Sequence, residues 1–205
     1  MEPQTSPAVG RAAGARLGGK DFINIGIFTA IYFVIVFAVA CLGFVPLLMA
    51  LICGIVPLVA GIPYMLYLTR VKKFGMITIM GLLIGIIMFV TGMGYFSILT
   101  GLVFGLLADL VARTGSYASA KMSVLSHGVF SCWIVGNFLP MLLTADSYYA
   151  TMRVQYGDAY VNELMSYLQP WAYPLMLAAA FITGIIGGYI GLKVLKKHFK
   201  RAGIA

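Results

Sequence analysis

The sequence predicts an all-α, polytopic membrane protein: a bundle of six transmembrane helices with both termini in the cytoplasm. Of its 205 residues, 61% are hydrophobic and 10% are charged, whereas soluble domains are about half apolar and about a quarter charged. Apolar runs of about 20 residues, long enough to cross a bilayer, recur along the chain. Because lipid offers no hydrogen-bond partners to the backbone, such runs must form helices rather than open strands.

Six apolar runs define the predicted helices. They cover residues 22–42, 45–67, 74–92, 95–112, 119–143 and 171–195. Residues 1–19 are rich in alanine, glycine and proline and are predicted to be a disordered cytoplasmic tail. Residues 20–195 form the predicted membrane domain, and residues 196–205 form a basic cytoplasmic tail.

The basic residues set the predicted orientation. Thirteen lysines and arginines fall in the two terminal segments and around the loops after the second and fourth helices, whereas the opposite side holds one, Arg153. Cytoplasmic segments carry the excess of lysine and arginine in membrane proteins. Both termini are therefore predicted in the cytoplasm and loop 144–170 outside. The net charge of +8 is interpreted as a topology signal, and no nucleic-acid partner is expected.

Loop 144–170 is the one long external segment, and it contains an apolar and aromatic stripe. The stripe recurs at steps of three and four residues, which indicates one face of a helix. Its members are Tyr149, Met152, Tyr156, Tyr160, Leu164 and Tyr167. Two compatible interpretations remain open. The segment is an interfacial helix with tyrosines at headgroup level, or it is a lid over a substrate bound from outside.

The fifth predicted helix has a polar face in an otherwise apolar run. At 100° per residue, one face contains Ser119, Ser123, Ser126, His127, Phe130, Trp133 and Asn137. Polar side chains at membrane depth face a bundle interior or a cavity, because lipid would leave them unpaired. For His127, Trp133 and Asn137 two interpretations stay open: contact with a ligand, or bonding and packing between helices.

Small residues four positions apart predict close contacts between helices. Such spacings occur at Gly101 and Gly105, at Ala180, Gly184 and Gly188, and at Gly26 and Ala30. Most such faces pack a bundle internally, but the face of Gly26 and Ala30 on the first helix is also suited to docking a partner protein. Asp109 lies four residues before Arg113 and is predicted to form a structural ion pair with it.

The sequence contains no pattern that indicates an enzyme, a metal site or a bound cofactor, and none of the three is expected. Cys41, Cys53 and Cys132 lie within apolar runs without a paired spacing, so they are expected to be free thiols. A serine protease would need a serine and a histidine on facing helices. The only histidine besides His127 is His198, in the C-terminal tail.

Two stretches, GGKDFINIGIFTAIYFVI (18–35) and GLVFGLLADLVARTG (101–115), resemble a known class of membrane protein. Together with the six predicted helices and the short basic tail, they resemble the S components of energy-coupling factor (ECF) transporters, and more narrowly the Trep_Strep family. The resemblance covers about residues 20–200. It implies a subunit of the prokaryotic cytoplasmic membrane that captures a vitamin, cofactor precursor or metal-linked nutrient at the outer face. Such a subunit then associates with a transmembrane T protein and two ABC ATPases.

The resemblance also assigns residues. It places docking on the T protein at Gly26 and Ala30, where the Ala-x-x-x-Ala of many S components has glycine first. It places substrate in the outer half of the bundle, and the candidate contacts are Tyr95, His127, Trp133, Asn137, Tyr149, Tyr156 and Trp171. These aromatic residues suggest a flat or heteroaromatic substrate, such as a vitamin or a tetrapyrrole. The alternative function is an independent small membrane transporter or a nonenzymatic membrane scaffold.

Overall fold

The computed structural model describes residues 16–201, with side chains through Lys197. Residues 1–15 and 202–205 of the two predicted tails lie outside the described part. The described part contains nine α-helices and no strand. The α-helices are α1 (Gly19–Ala40), α2 (Pro46–Leu68), α3 (Met76–Val90), α4 (Phe96–Thr114), α5 (Ala120–Ser131), α6 (Leu139–Leu143), α7 (Ala145–Tyr156), α8 (Asp158–Tyr167) and α9 (Ala172–Arg201). Two 3-10 helices cover Cys41–Phe44 and Cys132–Asn137.

Four helical segments of the described chain are long and apolar enough to cross a membrane. They are Gly19–Phe44, Pro46–Leu68, Phe96–Thr114 and Ala172–Lys197. Helix α3 is equally apolar but has 15 residues, which gives a length of about 22 Å against a hydrocarbon core of about 30 Å. The all-α prediction is confirmed for the described residues, and the count of six spans stays a prediction.

The run predicted as one helix over 119–143 is interrupted. Helix α5 ends at Ser131, and the chain tightens into the 3-10 helix Cys132–Asn137 before α6 begins. The Thr100 hydroxyl of α4 donates to the carbonyl of Trp133 at 2.9 Å, the carbonyl that an α-helix would bond to the amide of Asn137. Pro140 in the first turn of α6 offers no amide hydrogen to continue an α-helix. The polar face predicted at 100° per residue therefore applies only to the α-helical part of the run, as far as Phe130.

Glycines bring the helix backbones into direct contact, as the spacing of Gly101 and Gly105 predicted for α4. Helices α3 and α4 cross where a side chain on Gly81 would collide with the carbonyl of Gly101. Helices α2 and α9 run side by side in the same direction, since Gly54 lies against Thr183 and Gly61 lies against Gly187. Such contacts allow the bundle to pack without a hydrophobic driving force between helices in lipid.

The beginning of α1 and the end of α9 lie at the same end of the bundle. Lys73, in the loop between α2 and α3, forms an ion pair with Asp21 of α1 at 2.7 Å and donates to the carbonyl of Arg16 at 3.1 Å. Because α9 runs parallel to α2, it also ends near this loop. The two ends therefore share one side of the bundle, and the assignment of that side to the cytoplasm stays a prediction.

Asp109 does not pair with Arg113 as the four-residue spacing predicted. Its carboxylate instead accepts hydrogen bonds from the Gly75 amide at 2.8 Å, the Thr78 amide at 3.1 Å and the Thr78 hydroxyl at 3.0 Å. Its other oxygen accepts from the Tyr117 hydroxyl at 2.8 Å. The fully buried carboxylate thus caps the N-terminus of α3, where unpaired amides favour a negative charge.

Candidate functional site

A cavity of about 370 Å³ lies at the end of the bundle opposite the loop that contains Lys73. Its walls come from the second half of α1, the first half of α2, the end of α3 and the two 3-10 helices. Helices α7 and α8 form its roof. Segments far apart in the chain therefore converge on one space, of a size typical of small-molecule sites.

The cavity wall is mostly apolar, and aromatic and thioether side chains form much of it. The aromatic and methionine side chains include Phe33, Phe37, Phe44, Phe138, Met49, Met88, Met93 and Met152. Polar groups are fewer and uncharged, and they include Thr91, Asn137, Tyr148, Thr151, Gln155, Tyr156 and Tyr160. Within the described chain, no lysine, arginine, histidine, aspartate or glutamate lines this cavity.

The roof consists of two helices rather than the single helix that the aromatic stripe indicated. The break falls at Gly157, whose φ of 83° is open to glycine and strained for other residues. Arg153 crosses the break, because its guanidinium donates to Asp158 at 2.6 Å and to Asn162 at 2.8 Å. The two helices are thereby held at a defined angle to each other.

Two tyrosines join the roof to the wall. The rings of Tyr156 and Tyr160 stack with centroids 4.9 Å apart, and the Tyr156 ring lies 6.4 Å from that of Phe44. The Tyr160 hydroxyl donates to the carbonyl of Gly43 in the first 3-10 helix. Burial raises the pKa of Tyr160 to about 12, so this hydroxyl keeps its proton near neutral pH and remains a donor.

Asn137 places an amide at the cavity wall. Its Oδ1 accepts from the hydroxyl of Ser97 at 2.6 Å, and Ser97 is itself completely buried in the first turn of α4. The Nδ2 group makes no hydrogen bond to any described residue, although Asn137 is only 7% exposed. The amide is therefore oriented by the protein with its donor side unused.

Trp133 and His127 are fully buried and do not line the cavity. The Trp133 indole donates to the hydroxyl of Tyr32 at 3.2 Å. The His127 Nδ1 lies 2.6 Å from the carbonyl of Gly184, and its ring lies 4.8 Å from that of Tyr64. His127 Nε2 has no partner among the described residues. These contacts are those of helix packing, and a ligand contact for either side chain stays a prediction.

The remaining candidates lie in three different surroundings: the cavity, the surface and the core. Tyr156 lines the cavity. Tyr95 is 60% exposed and stacks on the neighbouring Phe96 at 4.3 Å. Trp171 is 64% exposed and lines a separate shallow groove between α2 and α9. Tyr149 is buried but does not line the cavity. Of the seven sequence candidates, the structure brings Asn137 and Tyr156 together at this cavity.

Sequence reasoning missed several lining residues. Tyr148 and Gln155 lie seven residues apart on α7 beside Met152, and this helical spacing was available as a signal. Phe33 and Phe37 of α1 also line the cavity. Nothing in their spacing separates cavity-facing aromatics from lipid-facing ones, because both environments favour apolar side chains.

The proposed docking residues lie on an uncovered face of α1. Gly26 and Ala30 are exposed, and a Cβ built on Gly26 would meet no heavy atom of the described chain within 4 Å. The neighbouring Ile23 and Ile27 are 62% and 53% exposed. No other part of the described chain therefore packs over this pair of small residues.

The long apolar helices and the apolar exterior define an integral membrane protein that crosses the bilayer several times. The chain belongs to the Trep_Strep family, described as hypothetical bacterial integral membrane proteins, whose family model matches residues 19–201. Comparison with curated proteins and comparison with solved structures each gave no match.

Proposed function

We propose that this protein is the substrate-capturing S component of an ECF-type ABC importer in the bacterial cytoplasmic membrane, and that it is not an enzyme. The observation that carries the proposal is the roofed cavity of about 370 Å³ at the end of the bundle opposite its basic loops. A cavity covered on one side by α7 and α8 is suited to taking a vitamin-like or cofactor-like small molecule from outside.

The proposed steps of substrate uptake and release follow from the position of the cavity at the end opposite the basic loops. Substrate enters from the outer side when α7 and α8 separate from the first 3-10 helix, and it is held after they close. Opening must break the hydrogen bond from Tyr160 to Gly43 and the contact of Tyr156 with Phe44. Release to the cytoplasm requires the T protein and the two ATPases, which supply the energy.

Docking on the T protein is assigned to the α1 face that contains Gly26 and Ala30. Small residues on an exposed helix allow a partner helix to approach its backbone closely. This assignment is supported by the open space beside Gly26.

The test is co-purification from the native bacterium. Gly26→Leu and Ala30→Leu should each reduce the recovery of T protein and ATPases by about tenfold, because a bulky side chain holds the helices apart. Ala178→Leu is the matched control, since Ala178 is exposed on α9, away from this face, and it should leave recovery unchanged.

The possible results separate the docking assignment from the importer role. Full recovery of the ATPases with both α1 variants would remove the docking assignment. If the wild-type protein recovered no ATPase and moved substrate into proteoliposomes by itself, the alternative of an independent small transporter would replace the proposal. A protein with neither activity would fit the scaffold alternative.

A further inference from the structure

We propose that the cavity takes an uncharged aromatic molecule that carries a hydrogen-bond acceptor, a ring nitrogen or a carbonyl, directed at the amide of Asn137. The inference rests on the proposed function and names the substrate class of the same site. It follows from three properties of the cavity: the lack of ionised side chains in its described wall, the orientation of the Asn137 amide, and the aromatic and methionine side chains of its apolar surface.

The described cavity wall has no ionised side chain, and this excludes an ionised group on the ligand. Removing a charge from water is costly unless an opposite charge or several hydrogen bonds compensate, and the described lining supplies no ionised side chain. Arg153, the cation of the roof, is already engaged by Asp158 and Asn162. Burial raises the pKa of Tyr148 and of Tyr160, so these two roof hydroxyls remain neutral near pH 7.

The amide of Asn137 selects an acceptor. Its oxygen is taken by the hydroxyl of Ser97 at 2.6 Å, and its Nδ2 group makes no hydrogen bond within the described chain. A neutral ligand that offers no acceptor would leave this donor stranded when the cavity closes, at a cost comparable to a lost hydrogen bond. A carbonyl or an unprotonated ring nitrogen satisfies the donor without bringing a charge.

The apolar surface selects a flat ring system. Phe33, Phe37, Phe44 and Phe138 offer ring faces or edges, and the four methionines offer thioethers that pack favourably against aromatic rings. This narrows the substrate class expected from the sequence. Tetrapyrroles that bear ionised carboxylates are disfavoured as substrates, whereas uncharged heteroaromatic molecules remain candidates.

Affinity selection on the purified full-length protein tests the proposal. A bacterial small-molecule extract is separated by ion exchange into uncharged, anionic and cationic fractions, and each is incubated with the protein before mass spectrometry of the retained compounds. Retention should come from the uncharged fraction. Asn137→Asp, which keeps an oxygen for Ser97 but removes the donor, should lower that retention by about tenfold.

Two further variants keep the test valid if Asn137→Asp folds poorly. Ala40→Phe places a ring in the cavity and should abolish retention, whereas Ala179→Phe places the same ring in the separate groove between α2 and α9 and should preserve it. Retention mainly from a charged fraction would overturn the substrate class. Full retention by a folded Asn137→Asp would overturn the role of the amide, and no retention from any fraction would overturn the ligand site itself.

Co-purification of T protein and ATPases with the same variants separates this inference from the importer role. If charged compounds are retained while the ATPases still co-purify, only the substrate class is wrong. If an uncharged aromatic compound is retained but the ATPases are not recovered from the native bacterium, the substrate class stands and the importer role fails.

Discussion

At the residue scale, several buried polar side chains of α5 and the following 3-10 helix bond to other helices. The Ser126 hydroxyl lies 2.9 Å from that of Tyr64 and donates to the carbonyl of Ala108 at 2.8 Å. The Trp133 indole reaches Tyr32 of α1. Because lipid cannot satisfy these groups, each bond fixes the position of one helix against another. Removing the Ser126 hydroxyl or the Trp133 indole is expected to lower the stability of the bundle before it affects any ligand.

A substitution of Asp109 tests whether its carboxylate stabilises the bundle by capping α3. Asp109→Asn removes the negative charge at the start of α3 and replaces one acceptor oxygen by a donor, so either the amides at the start of α3 or the Tyr117 hydroxyl loses an accepting oxygen. We expect a loss of about 1–3 kcal/mol in the free energy of unfolding, read as a lower melting temperature in detergent. Asp146→Asn is the control, since Asp146 is exposed on α7. Equal melting temperatures for the two variants would contradict the capping role.

At the element scale, the roof is a pair of short helices around one glycine rather than a loop. Helix α7 ends at Tyr156, helix α8 begins at Asp158, and Gly157 between them has a φ of 83° and a ψ of 165°. This backbone region is almost restricted to glycine. The roof is anchored to the wall by the bond from Tyr160 to Gly43, by the contact of Tyr156 with Phe44 and by the buried Val161 and Leu164 of α8. Gly157 sets the turn between the two helices.

Gly157→Ala should loosen the roof while leaving the rest of the bundle intact. A side chain in this conformation costs about 1–3 kcal/mol, which the short helices relieve by shifting. We expect faster amide hydrogen exchange in α7 and α8 and unchanged exchange in α2 and α9. Gly19→Ala is the control, because a Cβ there meets no described heavy atom within 4 Å. Unchanged exchange in α7 and α8 would show that the glycine conformation does not shape the roof.

At the scale of the whole molecule, orientation in the membrane decides which compartment supplies the ligand. The cavity and the loop that contains Lys73 lie at opposite ends of the bundle. If the basic end is cytoplasmic, as the distribution of lysine and arginine predicts, the cavity opens toward the outside. The direction of transport in the proposed function depends on this orientation.

Cysteine labelling of intact cells tests the orientation. Ser147→Cys in α7, made with Cys41→Ser because Cys41 is exposed, should react with a membrane-impermeant maleimide before lysis. Ala118→Cys, made in the same Cys41→Ser background and exposed in the turn between α4 and α5, should react only after lysis. The reversed pattern would place the cavity on the cytoplasmic side and would overturn the proposed uptake from outside.

Several features could be predicted from the sequence because they depend on local composition and spacing. The apolar runs specify helices in lipid whatever their neighbours are. The spacing of Gly101 and Gly105 predicted a close helix contact, which Gly81 of α3 completes. The tyrosine stripe of 144–170 marked a helical segment with one apolar face, and α7 and α8 lie there. The family was likewise recognisable from two stretches of α1 and α4.

Only the tertiary structure decided which polar groups meet. Helical periodicity placed Trp133 and Asn137 on one face, but the bond from Thr100 to the Trp133 carbonyl changes the helix type between them. As a result, Asn137 reaches the cavity while Trp133 turns to Tyr32. Asp109 likewise bonds to the N-terminus of α3 and to Tyr117 in the turn after α4, rather than to Arg113 on its own helix. Spacing is a property of one segment, whereas these contacts depend on the approach of segments far apart in the chain.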